Sequence, residues 1–380
     1  MKFLAVALII FASGYTVADT HSQQSLLQNK SDKLKHFKKK LVIPDAMERK
    51  LESHYVDETF SIYILLPENY DAKKEGGYPV FYLLDADYFV HSLDHATSFN
   101  SMLPDTIIVG IGYEGADSDG TKRIRDYSPT TVVEYPNSGG AGNFRAMLLN
   151  ELKPRINQNL NVNTEHETLV SWSLSGLFAL DTLFNHQALF DNYIVASPYL
   201  AWDNYMIFNE EAKYAYSNTD LNTKLFLSVG ELESVETTKA PFYAFVNTIE
   251  ARSYTNLLIE DREIEGEAHN TMVAPSFNKG LRHVFSDIKA LNLPEEVLKD
   301  YIGTYDFFPG VAMSVQLKDD MLVAQITGFN SFEMYPQQTN LFFSKMIPGL
   351  TVEFTRDEDG YINRVTYDSP TLGVFSGTKR

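Results

Sequence analysis

Thr168-Leu169-Val170-Ser171-Trp172-Ser173-Leu174-Ser175-Gly176-Leu177-Phe178-Ala179 is the stretch on which the reading of this chain turns. A short apolar run, Leu169-Val170, breaks off at Ser171. Leu177, Phe178, Leu180, Leu183 and Phe184 then recur near the helical period of 3.6 residues. Strand, sharp turn and helix is the setting in which small-x-Ser-x-small lifts a serine hydroxyl above a sheet edge. Crowding at such a bend requires small residues two before and two after Ser173, where this chain has Ser171 and Ser175 in place of the less crowded glycine. An ordinary strand-to-helix loop can carry the same letters, so residues further along must decide. A nucleophile on such a bend needs an acid and then a histidine, each following a later strand.

Nine histidines compete for that role. His21 and His36 precede the first strand, and His54 falls in an early strand. His91 and His95 are four apart in a predicted helix, but no Glu or Cys pattern supports a metal, so a surface helix is the reading. His166 precedes the nucleophile strand, and His186 and His283 fall on helices. His269 differs, because it lies in Glu265-Gly266-Glu267-Ala268-His269-Asn270, a polar loop after an apolar strand. Open α/β sheets place ligands at such carboxyl ends. The acid should follow the preceding strand, which ends at Val229-Gly230, leaving Glu231 or Glu233, with Glu236 and an acid-free Ser–His dyad still open. Glu233 is preferred, because three residues past the glycine the chain has room to turn back. In this arrangement His269 takes the Ser173 proton and Glu233 holds the imidazole tautomer. The oxyanion donors would be the Leu174 amide and one from the loop Asp85-Ala86-Asp87.

The rest of the chain supplies a matching frame. Phe60 to Leu66, Val80 to Leu84, Thr106 to Ile111, Tyr193 to Ser197, Leu225 to Val229 and Leu257 to Ile259 read as strands. Helix-length segments separate most of them: Phe89 to Met102, and a helix from about Asn143 that Pro154 should kink or end. Alternation of this kind predicts an α/β fold with a mostly parallel sheet. After about Leu291 short alternating runs take over, at Met313–Leu317, Leu322–Ile326, Leu341–Phe343 and Val352–Phe354. Turns at Lys318-Asp319-Asp320, Pro348-Gly349 and Asp359-Gly360 separate them, predicting an all-β module such as a small barrel.

Composition narrows the functional classes. A net charge of −18 argues against nucleic acid as a partner. The absence of cysteine removes disulfides, thiol catalysis and thiolate metal sites. Lys2, an apolar run from Phe3 to Ala12 and Thr16-Val17-Ala18 read as a cleavable export signal, too short to span a bilayer. The expected division is thus a signal at 1–18, a polar lysine-rich leader at 19–45, a catalytic domain at 46–290 and a β domain at 291–380. The mature protein would be periplasmic or secreted, without membrane insertion. Its oligomeric state is not legible.

Further pieces carry a family likeness: Tyr82-Leu83-Leu84-Asp85-Ala86-Asp87, Arg123-Ile124-Arg125-Asp126-Tyr127-Ser128-Pro129-Thr130, Gly139-Gly140-Ala141-Gly142-Asn143-Phe144, Ser197-Pro198-Tyr199-Leu200-Ala201-Trp202 and Gly266-Glu267-Ala268-His269. With the Ser173 bend, they make the chain resemble the esterase D-like α/β-hydrolases, in particular the siderophore (enterochelin/salmochelin) esterase-type branch. That resemblance implies an α/β-hydrolase fold and a serine esterase with no metal or cofactor. The substrate would be a small-molecule carboxylic ester, with siderophore lactones in view. The β-module resembles lipocalin-like appendages of some exported hydrolases. Family members carry glycine at Ser171 and Ser175 and often at Ala86, a position that would be awkward for alanine if it required positive φ. Arg123 and Arg125 have two readings, structural ion pairs or recognition of a substrate carboxylate or catecholate. Tyr199 and Trp202 also have two, lining an aromatic pocket or capping the core. The same residues admit acyl transfer to an alcohol, and the lost glycines admit a catalytically silent binding protein.

Overall fold

The computed structural model describes residues 46–380 apart from 69, 99–102, 116, 118–119, 287–292, 348–349 and 370–371. The expected signal at 1–18, the leader at 19–45 and the Pro348-Gly349 turn fall outside the described residues.

The apolar runs form one eight-stranded sheet in the order β1-β2-β4-β3-β5-β6-β7-β8. Its strands are β1 (Met47–Ser53), β2 (Glu58–Leu65), β3 (Tyr78–Leu83), β4 (Ile107–Tyr113), β5 (Val162–Trp172), β6 (Asn192–Ala196), β7 (Asp220–Gly230) and β8 (Thr255–Ile264). β1 and β2 run antiparallel, as do β2 and β4, and every pairing from β4 to β8 is parallel. Val80, Phe81, Tyr82 and Leu83 in β3 and Val195 and Leu227 in β6 and β7 have no exposed surface. Burial on both faces is why these strands read as unbroken apolar runs. β3 has β4 on one side and β5 on the other, so the winding reverses there. The crevice beyond the carboxyl ends of β3 and β5 is where such a fold binds ligands. His54 sits in the turn after β1, one residue past the strand it was expected to occupy.

Helices α1 (Ala86–Ser98), α2 (Thr121–Tyr127), α3 (Ala141–Met147), α4 (Lys153–Asn159), α5 (Leu174–Asn185), α6 (Trp202–Ser217), α7 (Ala240–Arg252) and α8 (Val273–Val284) connect the strands. The helix from Ala141 does not end at Pro154. A π turn, Leu148–Leu152, joins α3 to α4, and the Lys153 amide donates to the Leu148 carbonyl. The wider turn leaves Pro154 in the first turn of α4, where a missing N–H costs no hydrogen bond. Beside it the buried Lys153 pairs with Glu167 at 2.7 Å, and the Tyr82 hydroxyl donates to that carboxylate at 3.0 Å. This fastens the helix to the middle of the sheet.

A short helix, α9 (Glu295–Lys299), precedes eight further strands. They are β9 (Gly303–Phe308), β10 (Val311–Lys318), β11 (Met321–Ile326), β12 (Phe332–Pro336), β13 (Leu341–Phe343), β14 (Thr351–Arg356), β15 (Ile362–Ser369) and β16 (Gly373–Lys379). Each pairs antiparallel with the next, and β16 returns to β9, closing a barrel. Its interior is filled rather than hollow at Tyr301, whose ring lies 5.1 Å from Phe342 and 4.9 Å from Phe354.

Gly280 shows how tightly α8 lies on the sheet. A Cβ there would come within 2.6 Å of Ile194 Cγ2 and 3.0 Å of Phe226 Cδ1. Gly280→Ala should therefore lower stability by about 1–3 kcal/mol. The check is an earlier urea midpoint with the slope of the transition unchanged.

Candidate active site

The bend after β5 is strained. Ser173 adopts φ 58 and ψ −118, a conformation that glycine takes freely and other residues rarely. Backbone hydrogen bonds hold it there: the Ser173 amide donates to the Ala196 carbonyl at 2.9 Å, and the Tyr199 amide donates to the Ser173 carbonyl at 2.9 Å. Leu174 begins α5, so its amide is one of the first-turn donors that have no carbonyl within the helix. The serines that replace glycine on either side are bonded, not merely tolerated. Ser171 Oγ donates to the Ile194 carbonyl at 3.2 Å. Ser175 Oγ accepts the Trp172 amide at 2.9 Å and donates to Asp85 Oδ2 at 2.7 Å.

Ser173 Oγ lies 3.0 Å from His269 Nε2, and His269 Nδ1 lies 2.6 Å from Glu233 Oε2. Three side chains separated by up to 96 positions thus form one hydrogen-bonded line. His269 stays accessible, with 41% of its side chain exposed, whereas Glu233 has 4%. Burial alone would raise the Glu233 carboxyl. Hydrogen bonds from His269, the Gly230 amide and Ser197 outweigh that and hold it below its ordinary value. Glu231 turns elsewhere and accepts the Gly266 amide at 2.6 Å, bracing the loop that carries His269. Glu236 lies in the exposed turn before α7.

Two further residues of this centre lie in stretches quoted above, but neither had a role legible in the sequence. The Trp172 indole N–H donates to the His269 carbonyl at 2.8 Å, and the two rings lie 4.8 Å apart. Ser197, at the end of β6, has its hydroxyl 2.7 Å from Glu233 Oε2 and 3.0 Å from His269 Nδ1.

The loop after β3 differs in detail from expectation. The positive φ falls on Asp85, at 54, so Ala86 opens α1 without the awkward conformation. Ala86 is fully buried and offers the first helical amide. The Asp87 side chain faces the antiparallel edge of the sheet, accepting the Tyr63 hydroxyl at 2.8 Å and the Tyr113 amide at 2.9 Å.

Arg123 grips Asp85 with two bonds of 2.9 Å, and its guanidinium lies 5.5 Å above the Trp172 ring. Burial works against the Arg123 charge, but Asp85 more than restores it, keeping the guanidinium firmly cationic. Arg125 binds Asp126 at 2.7 Å and reaches Glu58 at 3.5 Å. Both arginines are thus engaged in ion pairs with carboxylates of the fold. Trp202 is buried, at 4% exposure, and its indole donates to Thr130 Oγ1 at 3.1 Å, so it caps the core rather than lining an open pocket. Tyr199 is 47% exposed and stands edge-on to Trp202 at 6.3 Å.

What the centre can do chemically follows from these contacts. A hydroxyl beside an imidazole that is itself held by a carboxylate is an activated nucleophile, and helix-start amides are fitted to a developing oxyanion.

The Esterase family model matches residues 53–272, and residues 289–375 match a family described as a domain of unknown function. The ferri-bacillibactin esterase of Bacillus subtilis is 28% identical over 261 residues, which cover 63% of this chain and 89% of that protein. The siderophore triacetylfusarinine C esterase of Aspergillus fumigatus is 26% identical over 266 residues, 60% of this chain and 90% of that one. The crystal structure of an IroE-like serine hydrolase from Shewanella oneidensis superposes with a TM-score of 0.59 at 25% identity, covering 67% of this chain and 85% of that one.

Because Ser175 ties the bend to Asp85, Ser175→Ala leaves the Trp172 amide without its acceptor and one Asp85 oxygen without its hydroxyl donor. The variant should lose about 1–3 kcal/mol of stability, measured by denaturant unfolding against the wild-type protein.

Proposed function

The chain belongs to the Esterase family and is a carboxylic ester hydrolase, and on that premise we propose that it works as an exported serine esterase through an acyl-enzyme on Ser173. The observation that carries this reading is the unbroken line from Ser173 Oγ to His269 at 3.0 Å and on to Glu233 at 2.6 Å. His269 Nε2 accepts the Ser173 proton as Oγ attacks the ester carbonyl. The tetrahedral oxyanion faces the Leu174 amide and an amide of the Ala86-Asp87 turn. Collapse breaks the ester C–O bond, and the imidazolium returns its proton to the departing alkoxide, leaving the acyl group on Ser173. Water then attacks the acyl carbon while His269 takes one of its protons, the bond from that carbon to Ser173 Oγ breaks to release the acid, and the imidazolium returns the proton to Oγ. Glu233, held ionised, keeps Nδ1 protonated and stabilises the imidazolium.

The substrate class is a siderophore ester, in keeping with what the relatives from Bacillus subtilis and Aspergillus fumigatus are named for. The exposed Tyr199, whose backbone amide donates a hydrogen bond to the Ser173 carbonyl, supplies an aromatic face beside the bend. Export rests on the first 18 residues, with their lysine, apolar run and small-residue exit.

A fluorophosphonate probe should label the wild-type protein at Ser173 and leave Ser173→Ala unlabelled. Ser173→Ala and His269→Ala should each lower turnover of p-nitrophenyl acetate and of a trilactone siderophore by roughly 10³-fold or more while folding normally. Turnover close to wild type in either variant would overturn the assignment.

A further inference from the structure

Ser197 occupies a position that a glycine would fill more comfortably. It has φ 41, in the left-handed region, yet it is not glycine. Its amide is committed to the Ser228 carbonyl at 2.7 Å, and the residue is 1% exposed. A buried hydroxyl on a strained backbone persists where the surroundings over-determine it, and such positions cluster at functional sites. The surroundings here are the two partners of the Ser173 nucleophile.

The carboxylate of Glu233 is pinned at both ends. Oε1 accepts the Gly230 amide at 2.8 Å, which stops the group from rotating. Oε2 then receives two donors, His269 Nδ1 at 2.6 Å and Ser197 Oγ at 2.7 Å. Ser197 Oγ is also 3.0 Å from Nδ1, so the three groups close a triangle. Only one proton arrangement satisfies it when the acid is ionised. The Ser197 hydroxyl donates to Glu233, and its lone pair faces the Nδ1 proton, which Glu233 also accepts. The opposite tautomer would set a bare Nδ1 against a carboxylate.

We propose that Ser197 is a positioning residue of the esterase centre, whose hydroxyl locks the Glu233 carboxylate and serves as second acceptor for the Nδ1 proton of His269. The proposal rests on the reading of Ser173, His269 and Glu233 given above. Ser197 neither gains nor loses a proton over the cycle and makes no bond to substrate. It keeps the Nε2 lone pair aimed at Ser173 and shares the charge that appears on the imidazolium.

The test is Ser197→Gly, with Ser197→Ala as a second variant and His269→Ala as the reference, all in the full chain. Glycine removes the hydroxyl and relieves the backbone, so a lost hydroxyl and a lost fold give opposite stability signals. With p-nitrophenyl acetate, kcat should fall about 10- to 100-fold in both variants with KM changing less, and the fluorophosphonate labelling rate should fall by a similar factor. Glu233 is held low in part by Ser197, so removing that donor lets the carboxyl protonate at higher pH, and the step in the acid limb of kcat/KM that reports Glu233 should move upward. The melting temperature of Ser197→Gly should hold or rise. If kcat, labelling rate and pH profile stay within about twofold of wild type in both variants while His269→Ala is inactive, the role of Ser197 is overturned and the esterase reading stands. A slower Ser197→Gly with an unmoved pH profile and a lower melting temperature also overturns it, leaving a structural role only. If His269→Ala remains active, the esterase reading itself fails.

Discussion

The bend at Ser173 is the constraint from which the rest of the centre follows. A residue with a side chain is held at φ 58 and ψ −118, and the neighbouring strand end supplies the restraint through the Ala196 carbonyl and the Tyr199 amide. That conformation points the chain from strand into helix within one residue. It puts Oγ beside His269 and leaves the Leu174 amide at a helix start. Strain at a single position persists because the strands on both sides of β5 are buried along all their length but Pro79 and cannot shift to relax it.

From that bend a second line of contacts runs outward. Ser175 meets Asp85, Asp85 is forked by Arg123, Arg123 lies over Trp172, and Trp172 holds the backbone of His269. The line joins the ends of β3 and β5 to the loop after β8. Those are the three places that supply a helix-start amide, the Ser173 hydroxyl and the His269 imidazole. Each link has both partners at least partly buried, where an unmatched charge or donor is costly. The serines that replace glycine around Ser173 are therefore part of the scaffold, and the glycine pattern of the family is one solution among others for a crowded turn.

Much of this was legible in the letters. Val80 to Leu84 and Leu225 to Val229 are apolar without alternation because helices cover both faces of a parallel sheet, and that pattern needs no tertiary knowledge. His269 stood out as a histidine in a glycine-containing loop after a strand. The choice between Glu231 and Glu233 rested on chain reach. The folded chain decides it, because Glu231 is taken by the Gly266 amide. Trp172 and Ser197 could be given no role from sequence, because an aromatic beside a serine and a serine at a strand end are common, and their contacts depend on loops far away in the chain. In the β-module, the strands around Met313, Leu322 and Val352 alternate, and Leu341–Phe343 is a short unbroken apolar run. β16 contains Gly373, Ser376 and Gly377 and buries little, so it has no period to read.

That unobtrusive strand governs how the module is completed. β9, the first strand of the barrel, meets its second neighbour only when Gly373–Lys379 comes back to it, so the ring has two open rims until the most distal segment arrives. Shortening the chain by those few residues would remove the two seams that β16 makes and present the backbone donors and acceptors of β9 and β15 to any passing strand. Closure of the ring therefore rests on one pairing between the two ends of the module, β16 with β9, and not on the hairpins that precede it.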